Sequence, residues 1–304
     1  MERRKWDVKS SCWFLILFAS FLNLFLPVNC SATEMGGGAY PNGAEGFMAG
    51  TVPPPGTYIV NYLTHYSADE FLDDNGNVLI PNFNLDVTAN VIRIIHISKK
   101  QVLGGYWGMH LFIPLLKMDV SVPGLSHEST GLGDIIVDPF ILSWHSKNWH
   151  FATGLDIYVP TGKYNKANLA NLGRNYWTIE PIFGVTYLSD NGWDISGKFM
   201  CDFNTKNEDT DYQSGQEFHF DYTIAKRVNN FALGLGGYYY QQITNDEQNG
   251  VKVGDGFKGR VFAWGPQIKY DSGRKSFILK YQKETGAEYR PEGEKLWLNF
   301  IYAF

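Results

Sequence analysis

Eleven ionisable side chains in this sequence have types and spacing that could do chemistry together: Asp138, Asp156, Glu180, Lys198, Asp202, His219, Asp221, Arg260, Lys269, Lys280 and Glu284. They are spread over strand-like segments, and the alternation of those segments assigns them to one enclosed inner face. Charges of both signs around a confined space can line a passage and choose its solutes. They can equally pair off as salt-bridged filling that stiffens the walls.

Other chemistries find less support. Ser126-His127-Glu128-Ser129 offers a hydroxyl beside an imidazole, the raw material of a hydrolase, and some membrane barrels are lipid hydrolases. The sequence has no G-x-S-x-G elbow, however. His65, His96, His110, His145, His150 and His219 have no helical metal spacing. Asn204, Asn207, Asp209 and Asp211 cluster oxygens that could hold Ca²⁺, but they lack the spaced Gly and distal Glu of an EF-hand. Asn and Asp also stabilise turns through local backbone hydrogen bonds. Gly236-Gly237 reads as a mid-strand bend, not a phosphate loop. Cys201 stands alone once Cys12 and Cys30 are assigned to a leader, so no disulfide framework follows. No catalytic residue, metal or cofactor is assigned.

The elements that must position the charged set are strands. The chain is 44% hydrophobic and 16% aromatic, yet its mean hydropathy is −0.23. Apolar character this dispersed suits alternating strands better than apolar helices. Twelve segments read as strands, near 57–67, 84–97, 102–118, 132–145, 149–160, 174–188, 193–205, 216–227, 231–243, 257–270, 275–285 and 294–304. Short turns are expected at 98–101, 146–148, 189–192, 228–230 and 271–274, with longer loops between them. Tight turns on one rim and long loops on the other are the pattern of a membrane barrel.

The faces agree. Trp193, Ile195, Phe199, Cys201 and Phe203 alternate with Asp194, Ser196, Lys198, Met200 and Asp202. Phe218, Phe220, Tyr222 and Ile224 alternate with His219, Asp221 and Thr223. Trp149, Trp177, Tyr187, Trp193, Tyr270 and Tyr302 fall near strand ends, as an interfacial girdle requires. Segment 84–97 departs from the pattern, because Arg93 shares a face with Val91 and Ile95, which a bulge or shifted register would explain. Leu296, Leu298, Phe300, Tyr302 and Phe304 form a period-two stripe suited to lipid. Such a stripe resembles the strand that outer-membrane assembly machinery reads, with Phe300, Tyr302 and Phe304 as its contacts.

Ahead of the strands, Arg3, Arg4, Lys5 and Lys9 precede an apolar run from Cys12 to Leu26, the pattern of a secretory signal peptide over residues 1–32. Residues 33–56, with Gly36-Gly37-Gly38 and Pro53-Pro54-Pro55-Gly56, read as a flexible lead-in. Residues 57–304 are then one antiparallel all-β transmembrane barrel. With net charge −5 and no basic block, nucleic acid is not an expected partner.

Several runs carry a family resemblance: Gly131-Leu132-Gly133-Asp134, Tyr158-Val159-Pro160-Thr161-Gly162-Lys163-Tyr164, Asn204–Gly215, Gly236–Gln242, Gly265-Pro266-Gln267 and Arg290-Pro291-Glu292-Gly293. In order and spacing they resemble the outer-membrane family named for the meta-pathway of phenol degradation. The resemblance implies a bacterial outer-membrane channel that admits small aromatic or hydrophobic molecules by passive diffusion, with the lipid bilayer and those solutes as partners. It supplies no catalytic residues. A lipid hydrolase and a structural barrel without transport are the alternatives.

Overall fold

The computed structural model describes residues 37–304. The segment read as a signal peptide lies outside the described residues. In chain order the strands are β1 (Gly56–Phe71), β2 (Asn84–Val102), β3 (Gly105–Val122), β4 (Leu125–Leu132), β5 (Ile135–His145), β6 (Trp149–Val159), β7 (Thr178–Leu188) and β8 (Trp193–Asn204). They continue with β9 (Lys206–Asn207), β10 (Tyr212–Gln213), β11 (Glu217–Val228), β12 (Phe231–Gln242), β13 (Glu247–Gln248), β14 (Val251–Lys252), β15 (Arg260–Ser272), β16 (Lys275–Glu288) and β17 (Pro291–Ala303).

The antiparallel order β2-β1-β17-β16-β15-β12-β11-β8-β7-β6-β5-β3 is closed by the β2–β3 pairing. Strands β4 and β5 succeed one another along β3, so thirteen strands occupy twelve positions around an all-β barrel. Closure leaves no open edge, which a strand bundle in hydrocarbon requires. The short β9, β10, β13 and β14 form a separate four-stranded sheet in the loops.

Side-chain alternation decides what faces out. Leu296 and Leu298 are 50% and 49% exposed, while Trp297 and Asn299 between them are 1% and 3% exposed. Ile92, Ile94, Leu115, Ile195, Leu233, Leu235 and Leu279 are likewise exposed around the outside. An apolar band of that extent would be unstable in water but is matched to lipid. Near the short-turn rim the band ends in paired aromatics: Trp149 with Tyr187, Phe231 with Tyr270, and Tyr302 with Phe304.

Three expectations are corrected. Residues 98–101 are not a turn. β2 runs on through a bulge to Val102, and the chain reverses at Leu103-Gly104, whose φ values of 50° and 77° suit a two-residue hairpin. The expected loop 119–131 is mostly strand, because β3 extends to Val122 and pairs with β4 across Pro123-Gly124. The stretch read as a flexible lead-in is, from Gly37 onward, folded into the barrel lumen. It has no regular structure, as its Gly and Pro content dictates, but Tyr40, Asn42, Ala44 and Phe47 are buried there.

Candidate functional site: the barrel lumen

The inward positions of β5 to β11 carry acids on successive strands. Asp138, Asp156, Glu180, Asp202, His219 and Asp221 are each at most 1% exposed, with Lys198 on β8 among them. Lys280 and Glu284 of β16 are buried as well. Lys269 reaches inward from β15 and pairs with Asp271 at 3.0 Å. Arg260 does not join them. It shares the outward parity of Phe262 and Trp264 and forms an ion pair with Glu288, directly opposite on β16. The inward residues beside it are Val261 and Ala263, kept small where the buried Tyr238 and Tyr240 of β12 fill the space.

Much of this charge is engaged with the lumenal segment. Asp221 accepts from Tyr40 Oη at 2.7 Å and from the amides of Gly43 and Glu45 at 2.8 and 3.0 Å. Lys280 Nζ donates to the carbonyls of Gly43 and Ala44, both at 2.6 Å, and of Glu45 at 3.1 Å. Thr186 Oγ1 accepts from the Gly50 amide at 2.9 Å. Two glycines let the segment run against β7: a Cβ on Gly184 would lie 2.9 Å from the Ala49 carbonyl oxygen, and one on Gly50 would lie 2.5 Å from the Val185 carbonyl carbon. Residues 38–52 are thus a plug, held by polar groups that would otherwise be buried without partners.

The opposite wall, β1 to β3, is different. Its inward residues include Tyr58, Val60, Tyr62, Val91, Ile95, Phe112, Pro114, Leu116 and Met118, with His110 on β3 and Arg93 as the one inward charge on β2. The departure noted at Arg93 therefore has a simple cause. The register there is regular, and the apolar face of β2 is the lumenal one.

Two cavities lie along this wall. One, of about 290 Å³, opens toward the long-loop rim and is lined by Tyr66, Val87, Val91, Phe112, Leu116, Met118, Ile136 and Leu172 among others. The second, of about 400 Å³, lies toward the short-turn rim and is lined by Phe47, Met48, Val52, Tyr58, Val60, Ile95 and Ile141 among others. Glu45 and Tyr62 border both. Between the cavities Arg93 Nη1 pairs with Glu45 at 2.8 Å and donates to Tyr62 Oη at 3.1 Å, while Arg93 Nη2 lies 2.8 Å from His110 Nδ1. The guanidinium also stacks over Phe112 at 4.7 Å. His110 Nε2 in turn bonds Asp156 at 2.6 Å.

Glu45, Tyr62, Arg93 and His110 were not among the sequence candidates. Arg93 did carry a signal, as a charge among apolar residues of one parity. Glu45 carried none, because an irregular segment has no periodicity to read.

The remaining candidates are not assembled. Ser126 and His127 are neighbours within β4, so their side chains leave on opposite faces, and His127 Nδ1 accepts from the Ala170 amide at 3.1 Å. Asn204 Oδ1 accepts from Thr178 at 2.5 Å, Asn207 Oδ1 accepts from Asn175 at 2.9 Å, and Asp211 pairs with Lys206 at 2.6 Å, so these oxygens are engaged by separate protein donors and do not converge. In the loop sheet Asp246 accepts from Tyr212 Oη and from Gln242, and burial pushes its carboxyl up to about 7.

No curated protein matches the chain. Among solved structures it is similar to the COG4313 outer membrane channel from Pseudomonas putida F1, with TM-score 0.76 and 15% identity over 84% of this chain and 98% of that one. It is also similar to the β-domain of the Bordetella autotransporter BrkA, with TM-score 0.50 and 10% identity over 82% of this chain and 100% of that one. The CymD monoaromatic hydrocarbon channel overlays at TM-score 0.43 and 9% identity, over 82% of this chain and 89% of that one, too loosely to carry an argument. The first two likenesses establish the fold: a closed antiparallel β-barrel of the outer-membrane type. A family model matches residues 68–300, the greater part of the barrel, and the chain belongs to the family described as "Putative MetA-pathway of phenol degradation".

Proposed function

We propose that this chain is a passive outer-membrane channel, not an enzyme, and that small apolar or aromatic solutes move along the β1–β3 side of its lumen. The observation that carries the reading is the pair of apolar-lined cavities, about 290 and 400 Å³, separated by the Arg93–Glu45 pair. Sites that hold small ligands are of this size and are mostly apolar with a few polar groups. Asp138, His110, Lys198 and Lys269 border the inner cavity, and Asp156 and Glu284 border the outer one. Glu180, Asp202, His219, Asp221 and Lys280 border neither cavity and serve as filling and as anchors of the plug more than as a solute path.

Ions should pass poorly, because each would exchange its hydration shell for partners already engaged with one another. The outward stripe Phe300, Tyr302 and Phe304 is, on this reading, what the assembly machinery recognises. The deciding measurement pairs planar-bilayer conductance with uptake of toluene, phenol and a sugar into vesicles holding the purified protein. The expected result is aromatic uptake well above that of the sugar, with little steady ion current. Large steady conductance, or no aromatic uptake above protein-free vesicles, would overturn the reading.

A further inference from the structure

Two buried clusters in the lumen wall bring three potential metal ligands together: His110, Asp138 and Asp156, and Glu180, Asp202 and His219. Their hydrogen bonding separates them. In the first cluster His110 Nδ1 is engaged by Arg93 and Nε2 by Asp156, while Asp138 accepts from the amides of Phe140 at 2.6 Å and Leu155 at 2.9 Å. That cluster is satisfied by the protein alone.

The second is not. Glu180, Asp202 and His219 are all 0% exposed. His219 Nε2 bonds Asp202 Oδ1 at 3.2 Å and Glu180 Oε2 accepts from Tyr158 Oη at 3.1 Å, yet Glu180 Oε1, Asp202 Oδ2 and His219 Nδ1 have no hydrogen-bond partner. Glu217 Oε2, on the same face of β11 as His219, is unpartnered too. One imidazole cannot supply protons to every buried carboxylate oxygen around it. The nearby Lys198 directs its ammonium at the Tyr40 ring, 4.6 Å away. Buried carboxylate oxygens without donors, beside an imidazole, are a donor set that a bound cation would satisfy.

The geometry points to a divalent transition-metal site of the zinc class formed by Glu180, Asp202 and His219. One ligand atom from each lies within 4.8 Å of the other two. His219 Nε2 is 3.2 Å from Asp202 Oδ1 and 3.6 Å from Glu180 Oε2. A tetrahedral ion with bonds of about 2.0–2.2 Å places its ligands about 3.4 Å apart. The imidazole selects against Ca²⁺ and Mg²⁺, which prefer oxygen alone. The three ligands come from the adjacent strands β7, β8 and β11, so the ion would staple the charged wall. It would do so under the plug, where the Tyr40 ring sits 5.1 Å from that of His219.

The test uses the untagged, full-length processed protein purified from outer membranes, stripped with a chelator and dialysed against Zn²⁺. Metal analysis should find about one zinc per chain, and competition with a chromophoric chelator should show that it is held specifically. Ca²⁺ and Mg²⁺ at the same concentration should not displace it. H219Q should weaken zinc binding at least tenfold, while H110Q, in the satisfied cluster, should retain it. Folded wild-type protein that holds less than about a tenth of an equivalent after dialysis would overturn the site, and that measurement needs no variant to fold. Loss of zinc from H110Q together with retention by H219Q would overturn the assignment of ligands.

Discussion

On β1 to β3 the lumen is faced by Tyr62, Val91, Phe112 and Leu116, and on β6 to β11 by Asp156, Glu180, Lys198, Asp202, His219 and Asp221. Both walls are made of the same alternating strands, and both turn apolar residues to the lipid. What differs is what each inner face meets. The charged wall meets the plug, whose backbone amides and carbonyls need partners: Asp221 supplies acceptors, and Lys280 supplies donors. The apolar wall meets open cavity. Polar density in a barrel interior therefore does not by itself mark the route of a solute. Here Asp221 and Lys280 are taken up by the plug, and the open space has a mostly apolar lining along β1 to β3.

Four changes would break or sharpen that contrast. The largest effect is expected from Lys280→Met. It removes the ammonium that donates to the Gly43, Ala44 and Glu45 carbonyls, and each buried acceptor left unpaired costs about 1–3 kcal/mol. The heat-modifiability midpoint should fall, and conductance should rise as the plug loosens. An unchanged midpoint with a closed lumen would show that Lys280 does not hold the plug.

Next comes the lipid face of the charged wall. Phe199→Arg should cost about 2–4 kcal/mol if it lies near the bilayer midplane. Lys198→Gln, one residue away and facing inward, should cost less. Urea titration of the barrel folded into vesicles measures both, and a larger loss at 198 than at 199 would reverse the two faces.

A charge placed on the apolar wall is the third case. Val91→Asp puts a carboxylate into the outer cavity at a cost of about 1–3 kcal/mol. Aromatic uptake should drop several-fold while the barrel still folds. Equal uptake by this variant would move the solute route off β2.

The smallest effect concerns the loop sheet. Asp246 has its folded-state pKa raised to about 7 from an ordinary 3.8, because burial disfavours the charged form. Its stabilising contribution is therefore fully present below about pH 4 and is lost as pH rises through about 7. Hydrogen exchange in β13 and β14, corrected for intrinsic rate, should be faster at pH 8 than at pH 5.5. Asp246→Asn should flatten the difference.

The sequence by itself determined the class of fold. Period-two alternation, short turns against long loops and the outward stripe from Leu296 to Phe304 need no tertiary information, because each is a local consequence of pleated strands meeting lipid on one side. It also placed Asp138, Asp156, Glu180, Lys198, Asp202, His219, Asp221, Lys280 and Glu284 on the buried side, because parity is local. Arg260 escaped because parity alone does not say which side is inside where both faces of a segment are mixed. The neighbours of β15 decide that, with Tyr238 and Tyr240 filling the space beside Val261 and Ala263.

The tertiary structure alone decided the plug, since residues 38–52 have no periodicity and acquire their place from Asp221 and Lys280, more than 170 residues away in the chain. It alone brought Glu45 to Arg93. It also sorted the lumen into a charged wall and an apolar one, because which strands face the plug depends on closure of the whole barrel and not on any strand's own pattern.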